Sequence, residues 1–182
     1  MRRLNAVLGM ALLALFLLHA VMGGFQLSGV IPGGSVIMKT GAWVMTAVLV
    51  LHTVIGIKLT ADTLRTLKKT GAPYFKENKL FWVRRLSGFA IILFVAFHVI
   101  IFMGSNDGAY RLHLFAGAEL CTQLLLAVTT AVHVLSNVKP ALISLGFKSW
   151  KDFLADVLIV LCVILLFTGA AFIIYYLRWN VF

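Results

Sequence analysis

Four histidines, His19, His52, His98 and His133, stand inside four different apolar runs of this 182-residue chain. An imidazole can ligate a metal, relay a proton or hydrogen-bond a neighbour. Lipid penalises ionisable side chains, so each such position points to function. One intramembrane histidine is as easily a satisfied core residue; four of them, each on its own run, make that explanation a poor one. The fifth, His113, falls at the outer end of the fourth run.

The elements that must hold these rings follow from composition. Hydrophobic residues make up 62% of the chain and the mean hydropathy is +1.02. A soluble domain of this size cannot cover itself with so apolar a surface, so the chain reads as an integral membrane protein. With three prolines and long unbroken apolar runs it is an all-α bundle rather than a barrel of short alternating strands. Five runs, 4–25, 39–61, 83–103, 112–136 and 153–177, reach the roughly 20 residues that cross a hydrocarbon core. "QLSGVIPGGS" and "SNDGAYR" read as turns, and 62–82 and 137–152 as loops carrying at most a short surface helix. No repeat or second domain interrupts residues 1–182. The first run imitates a signal peptide, but it is longer than the usual apolar region and lacks a small-residue cleavage site, so it reads as a retained helix. Cys121 and Cys162 both lie in apolar runs without a CxxC or CxxCH pattern. That excludes cysteine-held zinc, iron–sulfur and c-type haem sites and leaves them as small packing residues.

Charge orients the bundle. With the N-terminus in the cytoplasm and the C-terminus outside, thirteen of the sixteen Lys and Arg residues fall on the inner side. Only Lys39, Arg111 and Arg178 fall outside. This is the positive-inside asymmetry of a multi-pass protein of the cell inner (cytoplasmic) membrane, and it absorbs the +10 net charge without any nucleic acid. At 1.5 Å per residue His19 and His98 lie about 22 Å from the inner ends of their helices. His52 lies about 13 Å and His133 about 6 Å from the same side. The histidines therefore form an outer pair, His19 and His98, and an inner pair, His52 and His133, separated by about 10–15 Å.

Two bis-histidine levels stacked across a membrane are what a pair of b haems requires. Imidazole suits the axial positions of haem iron, and two of them leave an electron carrier with no position for oxygen chemistry. Zinc or copper would want all four at one depth. A proton relay would want carboxylates among the histidines, and only Glu119 lies well inside a span. Gly23 and Gly56 each follow a histidine by four residues, on the same helix face, where a missing side chain leaves room for a porphyrin or for close helix packing. Arg84, Arg85 and Lys58 stand at the inner mouths of their helices, suited to clamping haem propionates or to anchoring at the membrane surface. Ser87, a turn inside, either adds a hydrogen bond there or bonds its own i−4 carbonyl. The basic stretch 65–79 suits a docked subunit or anionic lipid. Glu119 heads a polar stripe of Thr122, Gln123, Thr129, Thr130 and His133. Near the outer surface it is a candidate for an interhelical bond or for proton exchange. His113 and Asp107 are weaker candidates.

"RRLSGFAIILFVAFHV", with "RRLNAVLGMALLALFLLH", "VLHTVIGI" and "TTAVHVLSN", resembles the di-haem cytochrome b subunit of succinate:quinone oxidoreductases. That subunit is the five-helix membrane anchor of some succinate dehydrogenases and fumarate reductases, enzymes of the respiratory chain and the tricarboxylic acid cycle. The resemblance implies two haem b groups, the distal one on His19 and His98 and the proximal one on His52 and His133. It implies as partners an FAD flavoprotein and an iron–sulfur subunit on the cytoplasmic face, with menaquinone or ubiquinone as substrate. Glu119 is then the candidate for proton exchange with that quinone. Succinate and fumarate would interconvert on the flavoprotein, not here. Ala131 stands where some fumarate reductases carry a glutamate, so no transmembrane proton path of that kind is implied. A rival is the cytochrome b of a quinone-linked hydrogenase or formate dehydrogenase, which often places two histidines on one helix. A haem-free transporter with histidines in its pathway is a second rival.

Overall fold

The structure, a computed structural model, describes residues 1–71, 79–103, 115–147 and 151–180. Within them are five helices: α1 (Arg2–Leu27), α2 (Val36–Thr70), α3 (Lys79–Phe102), α4 (Gly117–Leu145) and α5 (Lys151–Asn180). Each contains a stretch long and apolar enough to cross a membrane. The expected turn at 105–111, His113, Asp107 and part of the basic stretch 65–79 lie outside the described residues.

Glycine, rather than hydropathy, decides where α2 and α4 stop. After α1 the chain turns through Gly29, whose φ of 77° suits a residue without a Cβ. Ser35 then opens α2 by accepting from the Met38 amide. α2 runs on past residue 61 to Thr70 and ends at Gly71, in the left-handed conformation at φ 64°. Likewise α4 continues past residue 136 to Leu145 and ends at Gly146, φ 92°. The loops expected from 62 and from 137 are thus largely helix. Loss of apolarity marks where a helix leaves lipid, but Thr, Leu, Lys and Arg sustain it further until a residue favours αL. At 35 residues α2 is about 52 Å long, some 20 Å more than a hydrocarbon core. Lys68 and Lys69 close it, where cations suit the helix dipole.

α1 packs against α2, α4 and α5, and α4 packs against α3 and α5. α2 rests on α1 and has no buried residue. Trp43, Val44, Val50, Leu51 and Val54 are all exposed, a surface that only lipid covers at low cost. Cys121 and Cys162 are free thiols on the exterior of the bundle, so neither serves as packing. The densest core lies at the end away from Arg2 and Arg84, where Leu27, Phe115, Ala171, Phe172 and Tyr175 are buried together. Gly24 belongs to the same seam, since any Cβ there would run into the Phe167 ring.

Candidate functional site

Because α2 and α3 are not packed on one another, the bundle leaves an open-sided cavity of about 1220 Å³ between them, walled further by α1, α4 and α5. All four intramembrane histidines line it. A single small-molecule pocket usually holds about 300–1,000 Å³, so this space exceeds what one ligand needs.

Depth sorts the rings as the helical rise requires. His19 and His98 face each other with ring centroids 6.0 Å apart and planes at 74°. Two imidazoles sharing one metal ion need a centroid separation of about 6 Å, from metal–nitrogen bonds of about 2 Å plus the ring radii. At the other level His52 and His133 lie within electrostatic reach of one another, and Arg85 within reach of both. We call these the far pair and the near pair, the near one lying toward Arg84 and Arg85. No three His, Cys, Asp or Glu side chains converge as a metal cluster among the described residues. The donor set is therefore two pairs rather than one four-ligand centre.

Hydrogen bonds fix one ring of each pair. The Nδ1 of His98 lies 2.8 Å from Gln123 Oε1. The Nδ1 of His133 lies 3.1 Å from the Arg84 carbonyl, which can only accept. Both geometries put the proton on Nδ1 and leave the Nε2 lone pair for another partner, the state in which histidine binds a metal. The second ring of each pair differs. His19 Nδ1 and His52 Nδ1 are buried with no hydrogen-bond partner among the described residues, although the His52 ring also lies within hydrogen-bonding reach of the Asn5 main chain. An orphaned buried nitrogen costs about 1–3 kcal/mol, a cost that a ligand supplied from outside the chain would remove.

Glycines hold the space open. A Cβ on Gly23 or Gly56 would meet nothing within 4 Å, and both residues line the cavity. Gly9 and Gly88 add a feature the sequence reading missed. A Cβ on Gly9 would come within 3.4 Å of the His52 ring, and one on Gly88 within 3.1 Å of the His133 ring. Gly9 stands ten residues before His19, Gly88 ten before His98, and Gln123 ten before His133. Ten residues span about 15 Å, the distance between the levels, so the same arithmetic could have found all three.

The remaining candidates divide. Arg84 and Arg85 line the cavity. Arg84 Nε donates to the Ser136 carbonyl at 2.9 Å. That carbonyl is the one a residue at 140 would bond, and Pro140, inside α4, has no N–H to offer. The Nη groups, four further N–H donors, are the part of the fork that a carboxylate would engage. Arg85 lies over the Phe81 ring, 5.2 Å from its centroid. Ser87 is buried and donates to the Val83 carbonyl at 2.6 Å, and its hydroxyl also lies 3.2 Å from His133 Nδ1. It therefore steadies a histidine rather than facing the cavity. Lys58 is exposed and does not line the cavity. Glu119 does not line it either; its Oε2 accepts from the Ala116 amide at 2.7 Å, capping the start of α4.

No family model, curated protein or solved structure matches this chain.

Proposed function

We propose that this chain is the membrane anchor and electron-carrying subunit of a succinate dehydrogenase or fumarate reductase, holding two b haems between four histidines. The observation that carries the reading is the placement of four imidazoles, one per helix, in pairs at two levels of one cavity, the far pair with its rings face to edge. The fit extends to detail. The two orphaned Nδ1 atoms want a partner, the cavity has room for more than one ligand, and Gly23 and Gly56 leave it unobstructed.

On this reading His19 and His98 hold the far haem, and His52 and His133 the near one. When bound, the haems supply one-electron transfer along the membrane normal. The protein supplies everything else. His98 and His133 are held as Nδ1–H tautomers, which leaves Nε2 for the iron, in a mostly apolar setting. Arg85 and the Nη groups of Arg84 offer donors for carboxylates at the near level. The basic ends, Lys68 and Lys69 among them, lie on the cytoplasmic side, where an iron–sulfur subunit and its FAD flavoprotein would dock. Quinone is met at the opposite end of the electron path. The chain itself does no chemistry on succinate or fumarate.

Haem stoichiometry with a reduced-minus-oxidised spectrum tests this. Two b haems per chain, with a co-purifying flavoprotein, are expected. Absence of any b-type band sinks the cytochrome reading, and two haems without a flavoprotein move the chain to another quinone-linked enzyme.

A further inference from the structure

Gln123 is fully buried, with 0% of its surface exposed, in the second turn of α4. Leaving an amide there uncompensated costs several kcal/mol in hydrocarbon, so its contacts are informative. They form a directed chain. The Thr122 hydroxyl donates to the Glu119 carbonyl at 2.7 Å, and a carbonyl only accepts. Thr122 Oγ1 is thereby the acceptor for Gln123 Nε2 at 3.1 Å. With its NH₂ committed there, the amide must turn Oε1 toward His98, which donates from Nδ1 across 2.8 Å. Three hydrogen bonds thus fix the amide, the tautomer and the ring together. At the near level the partners of His133 Nδ1 are the Arg84 carbonyl and the Ser87 hydroxyl, itself bonded to the α3 main chain, instead of an amide.

We propose that Gln123 is a positioning residue that sets the electron affinity of the far haem through His98. The inference rests on the di-haem reading above. An acceptor on Nδ1–H pushes electron density toward Nε2 and strengthens the ligand, which favours oxidised iron and lowers the reduction potential of that centre alone. Thr122 acts one bond further out, by holding the amide from flipping.

The test is a redox titration of both haems in the detergent-extracted complex, for wild type, Gln123→Leu and Thr122→Val. His19→Ala, which removes the far haem, assigns the two components. Gln123→Leu keeps the volume and removes the acceptor. The far component should move to higher potential, changing its reduced-to-oxidised ratio at fixed potential by about fivefold, the size of one hydrogen bond, while the near component stays. Thr122→Val should move the same component the same way by less. If neither component moves, or both move together, Gln123 is only packing and the proposal fails. Should Gln123→Leu lose the far haem, Thr122→Val decides by the same criterion. A wild-type complex without two b haems would instead refute the function proposed above.

Discussion

Around the far pair the cavity wall is aromatic. Phe102 lies 4.8 Å and Phe172 6.3 Å from the His98 ring, with Phe115 stacked on Phe172 and Tyr175 edge-on to Phe115 behind them. Around the near pair it is glycine, carbonyl and guanidinium: Gly9 against His52, Gly88 against His133, the Arg84 carbonyl on Nδ1, and Arg85 within reach of both rings. His98 is held by a side-chain amide, and His133 by the α3 main chain together with the Ser87 hydroxyl. The difference teaches where each level is vulnerable. Side-chain changes should disturb the far haem, whereas the near one should respond to added bulk and to altered backbone pairing. The near level also carries positive charge, which favours the reduced form, so of two otherwise similar centres the near haem should be the more easily reduced.

The largest effect comes from the ligands themselves. His98→Ala and His133→Ala should each reduce haem content from two to one, and each should remove a different redox component. Loss of both haems from either variant would show that the levels are not independent. Next in size is Gly88→Val. Even one Cβ there comes within 3.1 Å of the His133 ring, so the ring must give way, and a branched side chain adds bulk beside it. The near haem should be lost while the far one remains, by pyridine haemochrome assay and titration. Gly23→Val is the contrasting case. The protein has open space at that position, so the fold should survive. If a porphyrin fills that space, far-haem occupancy should fall, and unchanged occupancy would place the ligand elsewhere.

The comparison also explains what the sequence made visible. Five spans could be read because apolar length is a property of the chain alone. Helix rise then sorted the histidines into levels without any tertiary knowledge. The helix ends were less visible, since Gly71 and Gly146 stop helices that hydropathy had already ended. Lys58 was readable in hindsight. Six residues after His52 is two-thirds of a turn further round, away from the histidine face. The Arg84–Ser136 bond was not readable, because it depends on Pro140 remaining inside α4 instead of ending it.

That bond gives an intermediate prediction. Pro140→Ala restores an N–H for the Ser136 carbonyl and releases Arg84 Nε. Arg84→Ala should therefore destabilise the wild-type background far more than the Pro140→Ala background. The coupling should be about 1.5–3 kcal/mol, the scale of a buried bond from a charged donor. Thermal loss of the haem band in detergent would report it. Additive effects would mean that Arg84 serves only a carboxylate in the cavity, and the near level would then be less dependent on backbone than the contrast above holds.

The smallest effect should belong to Glu119, where the far level meets the start of α4. Its carboxylate accepts from the Ala116 amide, close to the positive end of the helix dipole. Glu119→Gln keeps an oxygen acceptor and loses only the charge, at a cost of about 0.3–1 kcal/mol. Haem content, both potentials and quinone turnover should be unchanged, because the side chain does not line the cavity. Proton exchange with a quinone, by contrast, needs a titratable carboxyl within hydrogen-bond reach of the quinone oxygen. A large fall in turnover with normal haem content would therefore return Glu119 to the chemistry. It would also give the far level a proton-exchanging role beyond its ring-walled packing.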